Sequence, residues 1–142
     1  MKSIGALIAV ILTIAAIGHS QHTNTGGLEN KIVYVEFQSA DLAQTKAFFE
    51  KAFGWNFADQ APNYITFFDG RMAGGFIKTE RTGRRSTGGA LLSLYSENLE
   101  ETLRKVEAAG GKITDPIVSS AGGRRFVFEE PSGNEFAVVS SK

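Results

Sequence analysis

Few residues of this 142-residue chain are of types that could do chemistry, and they are unevenly placed. There is no cysteine, which removes disulfides, thiolate nucleophiles, thiolate metal sites and a lipid-anchored cysteine together. Both histidines, His19 and His22, fall near the N-terminus. With none after them, the rest of the chain cannot build a Ser-His-Asp triad, a histidine general base or a His-containing metal site. Carboxylates, phenols and guanidiniums remain. Glu36 stands among apolar neighbours, where burial would raise its pKa and suit it to be a general base or a ligand anchor. The alternative is a structural carboxylate paired with an arginine or backbone amides. Tyr34 and Tyr95 could donate to an oxyanion or simply close a cavity. Arg84, Arg85, Arg124 and Arg125 lie in two basic, Gly-rich stretches, Arg81–Gly89 and Gly122–Arg125, which could gather an anionic ligand or be solvated loops. Neither leads from a strand into a helix, so neither reads as a phosphate-cradling loop.

The elements that must position these groups are legible from periodicity. Ile32–Gln38 alternates as a half-buried strand, with Val33, Val35 and Phe37 on one face and Tyr34, Glu36 and Gln38 on the other. Asp41 caps a helix, with Gln44 at the capping-box offset. Leu42, Thr45, Phe48, Phe49 and Ala52 make its apolar stripe, and Gly54 stops it. The pattern recurs. Ala90–Tyr95 reads as a strand, Asn98 caps with Glu101 at the same offset, and Gly110 and Gly111 end the second helix. On its solvated face Glu100 with Arg104, and Glu101 with Lys105, sit one turn apart. A shift of 57 positions lays Ser39 on Ser96, Leu42 on Leu99, Thr45 on Thr102, Ala52 on Ala109 and Gly54 on Gly111, which points to a duplication. Each helix precedes three short strands, Asn56–Ala58, Tyr64–Phe68 and Ala73–Lys78, then Lys112–Ile117, Arg125–Glu129 and Glu135–Val139. Trp55, just after the first helix, reads as core packing.

Composition bounds the rest. With 42% hydrophobic and 21% charged residues, the chain suits one small domain. Fifteen basic residues balance fifteen acidic ones, so no broad field invites nucleic acid or an anionic membrane surface. Residues 1–20 read as a signal peptide: Lys2 is the positive end, and Ile4–Ile17 is an apolar run short of the ~20 residues that comfortably cross a bilayer. Gly18 and Ser20 place cleavage before Gln21. The mature protein would then be secreted or periplasmic, without stable membrane insertion; an uncleaved N-terminal membrane anchor is the alternative. Residues 21–28 form a polar linker, and 29–142 the domain.

Three strings, FEKAFGW (Phe49–Trp55), AAGGKI (Ala108–Ile113) and EEPSGNEFAVV (Glu129–Val139), resemble the vicinal-oxygen-chelate superfamily of glyoxalase, bleomycin-resistance and dioxygenase-like proteins. In the last string Glu130 stands where that family's hairpin usually has Asp. The resemblance spans everything after the linker. It implies an α+β fold of two βαβββ modules, forming an open cupped mixed sheet with helices outside and a ligand cavity within. Metal-using members carry a His, Glu or Gln on the first and last strand of each module. The matching positions here are Tyr34, Gly74 or Gly75, Leu91 and Ala137, so no metal and no other cofactor is expected, and metal-dependent glyoxalase or dioxygenase activity is not. An all-oxygen Mg²⁺ or Mn²⁺ site would have only Glu36 and Glu135 aimed towards it.

By strand parity Tyr34, Glu36, Gln38, Leu91, Ser93, Tyr95, Glu135, Ala137 and Val139 line the cavity, with Phe76 a further candidate. Such a wall suits a small, partly aromatic or amphipathic ligand. Three functions fit: a metal-free small-molecule binder, a metal-independent lyase or isomerase with Glu36 as base, and a non-catalytic interaction module. A homodimer is compatible with each.

Overall fold

The computed structural model describes residues 27–142. The segment read as an export signal, 1–20, lies outside them. Among the described residues no helix is long and apolar enough to cross a membrane.

The βαβββ unit occurs twice. The first is β1 (Tyr34–Ser39), α1 (Leu42–Phe53), β2 (Asn56–Ala61), β3 (Tyr64–Phe68) and β4 (Ala73–Lys78). The second is β5 (Leu92–Tyr95), α2 (Leu99–Ala108), β6 (Lys112–Ser120), β7 (Gly123–Glu129) and β8 (Glu135–Ser140). Their sheets run in the same order, β1-β4-β3-β2 and β5-β8-β7-β6. In each, the first strand lies parallel to the last and the other pairs are antiparallel. The mixed α+β duplication is therefore present strand for strand.

Local chemistry sets the helix ends. The Asp41 side chain accepts from the Gln44 amide at 3.0 Å, and Asn98 accepts from Glu101 at 3.0 Å, each satisfying a donor with no intrahelical partner. Gly54 ends α1 in the left-handed conformation, φ 69°, which a side chain would resist. The same clip recurs behind each cap: Ser39 with Thr45 at 2.9 Å, and Ser96 with Thr102 at 2.8 Å. Strand β5 starts two residues later than its alternation suggests, because Gly89 folds back to donate to the Arg84 carbonyl.

One aromatic core serves both modules. Trp55 is stacked between Phe49 and Phe67, with ring centroids 4.4 and 4.5 Å away. From α1, Phe49 also touches Phe76 of β4 and Phe136 of β8, while Phe48 packs on Phe128 of β7. Phe37 of β1 meets Phe136 at 5.0 Å. Within one chain, then, the helix-bearing faces of the two sheets meet, and the other face of each sheet is turned away from that core. The sheets share no hydrogen-bonded ladder.

A polar knot fastens the modules at one corner. The β7–β8 hairpin enters the β1–α1 corner, and Glu130 is buried there at 2% exposure. Its carboxylate accepts from the Thr45 hydroxyl (3.0 Å), the amides of Ser132 (3.0 Å) and Asn134 (3.2 Å), and the Asn134 side chain (2.7 Å). The Asn134 side chain also donates to the Gln38 carbonyl at 2.6 Å, and Ser132 bonds Ser39 at 2.9 Å. Four donors replace the water a buried carboxylate would lose.

Removing that acceptor should be costly. Glu130→Ala is expected to destabilise the chain by on the order of 3 kcal/mol, because several buried donors lose their partner. Glu130→Gln, which keeps one acceptor oxygen, should cost less. Denaturant midpoints measure both, and an Ala variant as stable as the parent would show that the knot holds nothing.

Candidate functional site

Register assigns the side chains of β1, β3 and β4 to faces. Val35 is opposite Gly74 and Phe37 opposite Phe76, so these point to the helices. Tyr34, Glu36 and Gln38 share the opposite, bare face with Gly75, Tyr64 and Thr66. Gly75, not Gly74, is therefore the last-strand position facing the same way as Tyr34. The hydroxyls of Tyr34 and Tyr64 are hydrogen-bonded to each other directly above Gly75, so a Cβ at that residue would collide with both phenols. Tyr64 was not among the residues singled out from sequence, although the alternation of its own strand carried the signal.

Glu36 lies beside this pair and is exposed. The burial that would make it an activated base is absent, and it forms no ion pair among the described residues. Both phenols hold their protons more firmly than free tyrosine. Burial is the largest cause in each; the Glu36 charge adds to it, and the shared hydrogen bond strengthens the effect on Tyr64 while opposing it on Tyr34.

The second sheet's bare face is different, because the connection between modules is strapped across it. Arg84 pairs with Glu129 (3.1 Å) and donates to the Gly133 carbonyl (3.1 Å). Arg85 bridges Asp115 (3.0 Å) and Glu135 (3.5 Å). Arg124 pairs with Glu100, which holds that carboxyl below its usual range and leaves the i,i+4 bridge on α2 to Glu101 and Lys105 (2.8 Å). Three of the four arginines that could have gathered an anion are thus paired with carboxylates of the protein itself, and of these four Arg125 alone forms no ion pair among the described residues.

The predicted lining residues do not converge on one cavity. Ala137 is fully buried and Ser93 exposed, while Leu91 lies just before β5. Phe76 corrects an expectation: its register turns it to the helices, where it is fully buried against Phe49. One opening, about 550 Å³, lies between α1 and β2–β3, lined by Leu42, Lys46, Asp59 and Ile65; two others lie along the seam between β1 and β5, each an edge strand of its sheet. The larger, about 580 Å³, is walled by Val35 and Phe37 on one side and Leu92 and Leu94 on the other, with Trp55 and Phe136 behind. Ser93, Tyr95, Asp69 and Arg71 stand among its lining residues. The smaller, about 480 Å³, is more polar and includes Glu36, Gln38, Asn134 and Glu135.

The positions that the resemblance matched to metal ligands hold Tyr34, Gly75, Leu91 and Ala137. One is filled over by phenols and another is a buried methyl group, so they do not fit a divalent ion. Glu36 and Glu135 both border the smaller opening, but Glu135 is bound to Arg85 and to its amide (2.6 Å). Among the described residues no three His, Cys, Asp or Glu side chains group together.

Paired βαβββ modules with this strand order define a glyoxalase-like protein. A profile of the Glyoxalase/Bleomycin resistance protein/Dioxygenase superfamily matches residues 31–138, and the chain belongs to that superfamily. Similar solved structures include a family enzyme from Burkholderia phytofirmans PsJN, with TM-score 0.67 and 17% identity over 78% of this chain and 98% of that one. A lactoylglutathione lyase from Agrobacterium tumefaciens aligns with TM-score 0.60 and 18% identity over 78% and 93%. A fosfomycin resistance protein from Listeria monocytogenes, solved with Mn(II) and 1S,2S-dihydroxypropylphosphonic acid, aligns with TM-score 0.65 and 16% identity over 78% and 89%. These identities carry the fold alone. No curated protein matches the chain.

Ionisation of the phenol pair is directly measurable. Of the three tyrosines, Tyr34 and Tyr64 should ionise above the usual phenol value of about 10. Their folded-state values lie above the unfolded one, so the stability they contribute is complete below it and is lost as pH rises beyond it. A near-ultraviolet phenolate titration should therefore show two delayed tyrosines, and Glu36→Gln should bring Tyr64 down. Tyr34 and Tyr64 ionising in the ordinary range would contradict the geometry.

Proposed function

We propose that this chain binds a small organic molecule without a metal, in the cavity between its two modules. The carrying observation is the seam opening of about 580 Å³, a size typical of small-molecule sites, with apolar walls and a few polar groups. The residues at the metal-ligand positions support the metal-free part. The relatives' names range from a lyase to a resistance protein on one fold, so chemistry here is argued from the site and not from the family. The export signal read at 1–20 would put this binder outside the cytoplasm, as a secreted or periplasmic protein. A dimer, in which a second copy approaches the outward-turned sheet faces, is compatible with it.

One observation favours a second reading. Glu36 adjoins Tyr64, so a carboxylate acceptor and a phenol donor stand together as a metal-independent lyase or isomerase would require. Its turnover would disappear in Glu36→Gln while ligand binding persisted.

The purified protein, exposed to Ni²⁺, Zn²⁺, Mn²⁺ and Fe²⁺ and then desalted, should retain no stoichiometric metal by mass spectrometry. A small-molecule library should contain compounds that raise its melting temperature through mass action. One tightly held ion per chain would overturn the metal-free reading.

A further inference from the structure

We propose that the seam cavity takes a flat, apolar organic anion, such as an aromatic or bulky hydrophobic carboxylate, with its acid group on Arg71. This rests on the small-molecule reading and names the ligand class. The site lies on the helix-facing side of the strands, away from the bare faces that carry Tyr34 and Glu36.

Three features of the slot select this chemistry. Its walls are apolar edge-strand residues from both modules, Val35 and Phe37 facing Leu92 and Leu94, and Trp55 lies behind them in an aromatic stack. Phe37, Leu92 and Leu94 are only partly buried, so apolar surface still faces the opening. A hydrophobic body entering the slot would remove that surface from water. β1 and β5 also end their sheets, and neither is paired in a ladder with the other module.

The charge at the mouth is polarised. Two charged residues stand there, Asp69 and Arg71. Asp69 is engaged in its own turn, where one carboxylate oxygen accepts from the amides of Arg71 (2.7 Å) and Met72 (2.6 Å). The Arg71 side chain is exposed and makes no ion pair or hydrogen bond among the described residues. This distinguishes it from Arg84, Arg85 and Arg124, each held by a carboxylate of the protein. A guanidinium fixed at its backbone and free at its fork is suited to a bidentate carboxylate.

Calorimetry on the purified full-length chain with three isosteric probes tests this: 2-naphthoate, neutral 2-naphthamide and cationic 2-naphthylmethylamine. The naphthoate is expected to bind tightest. Arg71→Gln should weaken it by about tenfold or more, as loss of a charge-assisted contact implies, and leave the amide unchanged. Leu94→Trp, which fills the slot, should abolish both; thermal midpoints of both variants check that they fold. If naphthoate and naphthamide bind equally, both lost in Leu94→Trp, the anion assignment fails while the small-molecule cavity stands. If no probe binds the parent, or binding survives Leu94→Trp, the anion site is refuted. Sedimentation would then show whether a second copy occupies the seam, an outcome that would refute the cavity reading too.

Discussion

Glu130 is the buried charge on which both modules converge. A carboxylate at 2% exposure is tolerable only because four donors converge on it, and those donors come from the β7–β8 hairpin and from Thr45 in the other module. Once the hairpin is seated, Asn134 and Ser132 reach Gln38 and Ser39, fixing the end of β1 against β8. That placement sets the seam, because β1 forms one of its walls. The aromatic core supplies most of the apolar burial, yet rings packed at many angles leave the direction of approach open. The knot is directional and selects one arrangement.

Much of the fold was legible in the residues. Alternation in Ile32–Gln38 assigned the faces of β1 correctly, since a period of two leaves no intermediate choice. Asp41 and Asn98 marked the helix starts because a side-chain acceptor there is a local matter. The 57-residue shift exposed the duplication. Tertiary events were not legible. Glu100 stands one turn from Arg104 but bonds Arg124, which comes from a strand 24 residues away. Arg84 and Arg85 read as free cations until the structure brought Glu129, Asp115 and Glu135 to them. Phe76 was read as a lining residue and proved to face the helices, because the glycines before it carry no pattern that fixes its face.

The candidate site was less legible than the fold for the same reason. Parity could place Tyr34, Glu36 and Gln38 on one face, yet it could not say that the second module's counterparts face elsewhere. Nor could it show that the connection between modules covers that second face. Helical stripes and strand alternation specify which side of an element is buried; they carry no information on how two finished modules are set against each other.

Gly75 has a consequence for how this site can change. The residue is small because two phenol oxygens occupy the space above it, and the phenols stand there because nothing projects from below. The three positions form a unit under substitution. A carboxylate or histidine introduced at 75 alone would have to expel both rings from a half-buried face before it could serve as a ligand. Shortening either tyrosine alone would leave the other without its hydrogen-bond partner. A longer side chain at 75 is therefore accommodated only if both tyrosines move with it.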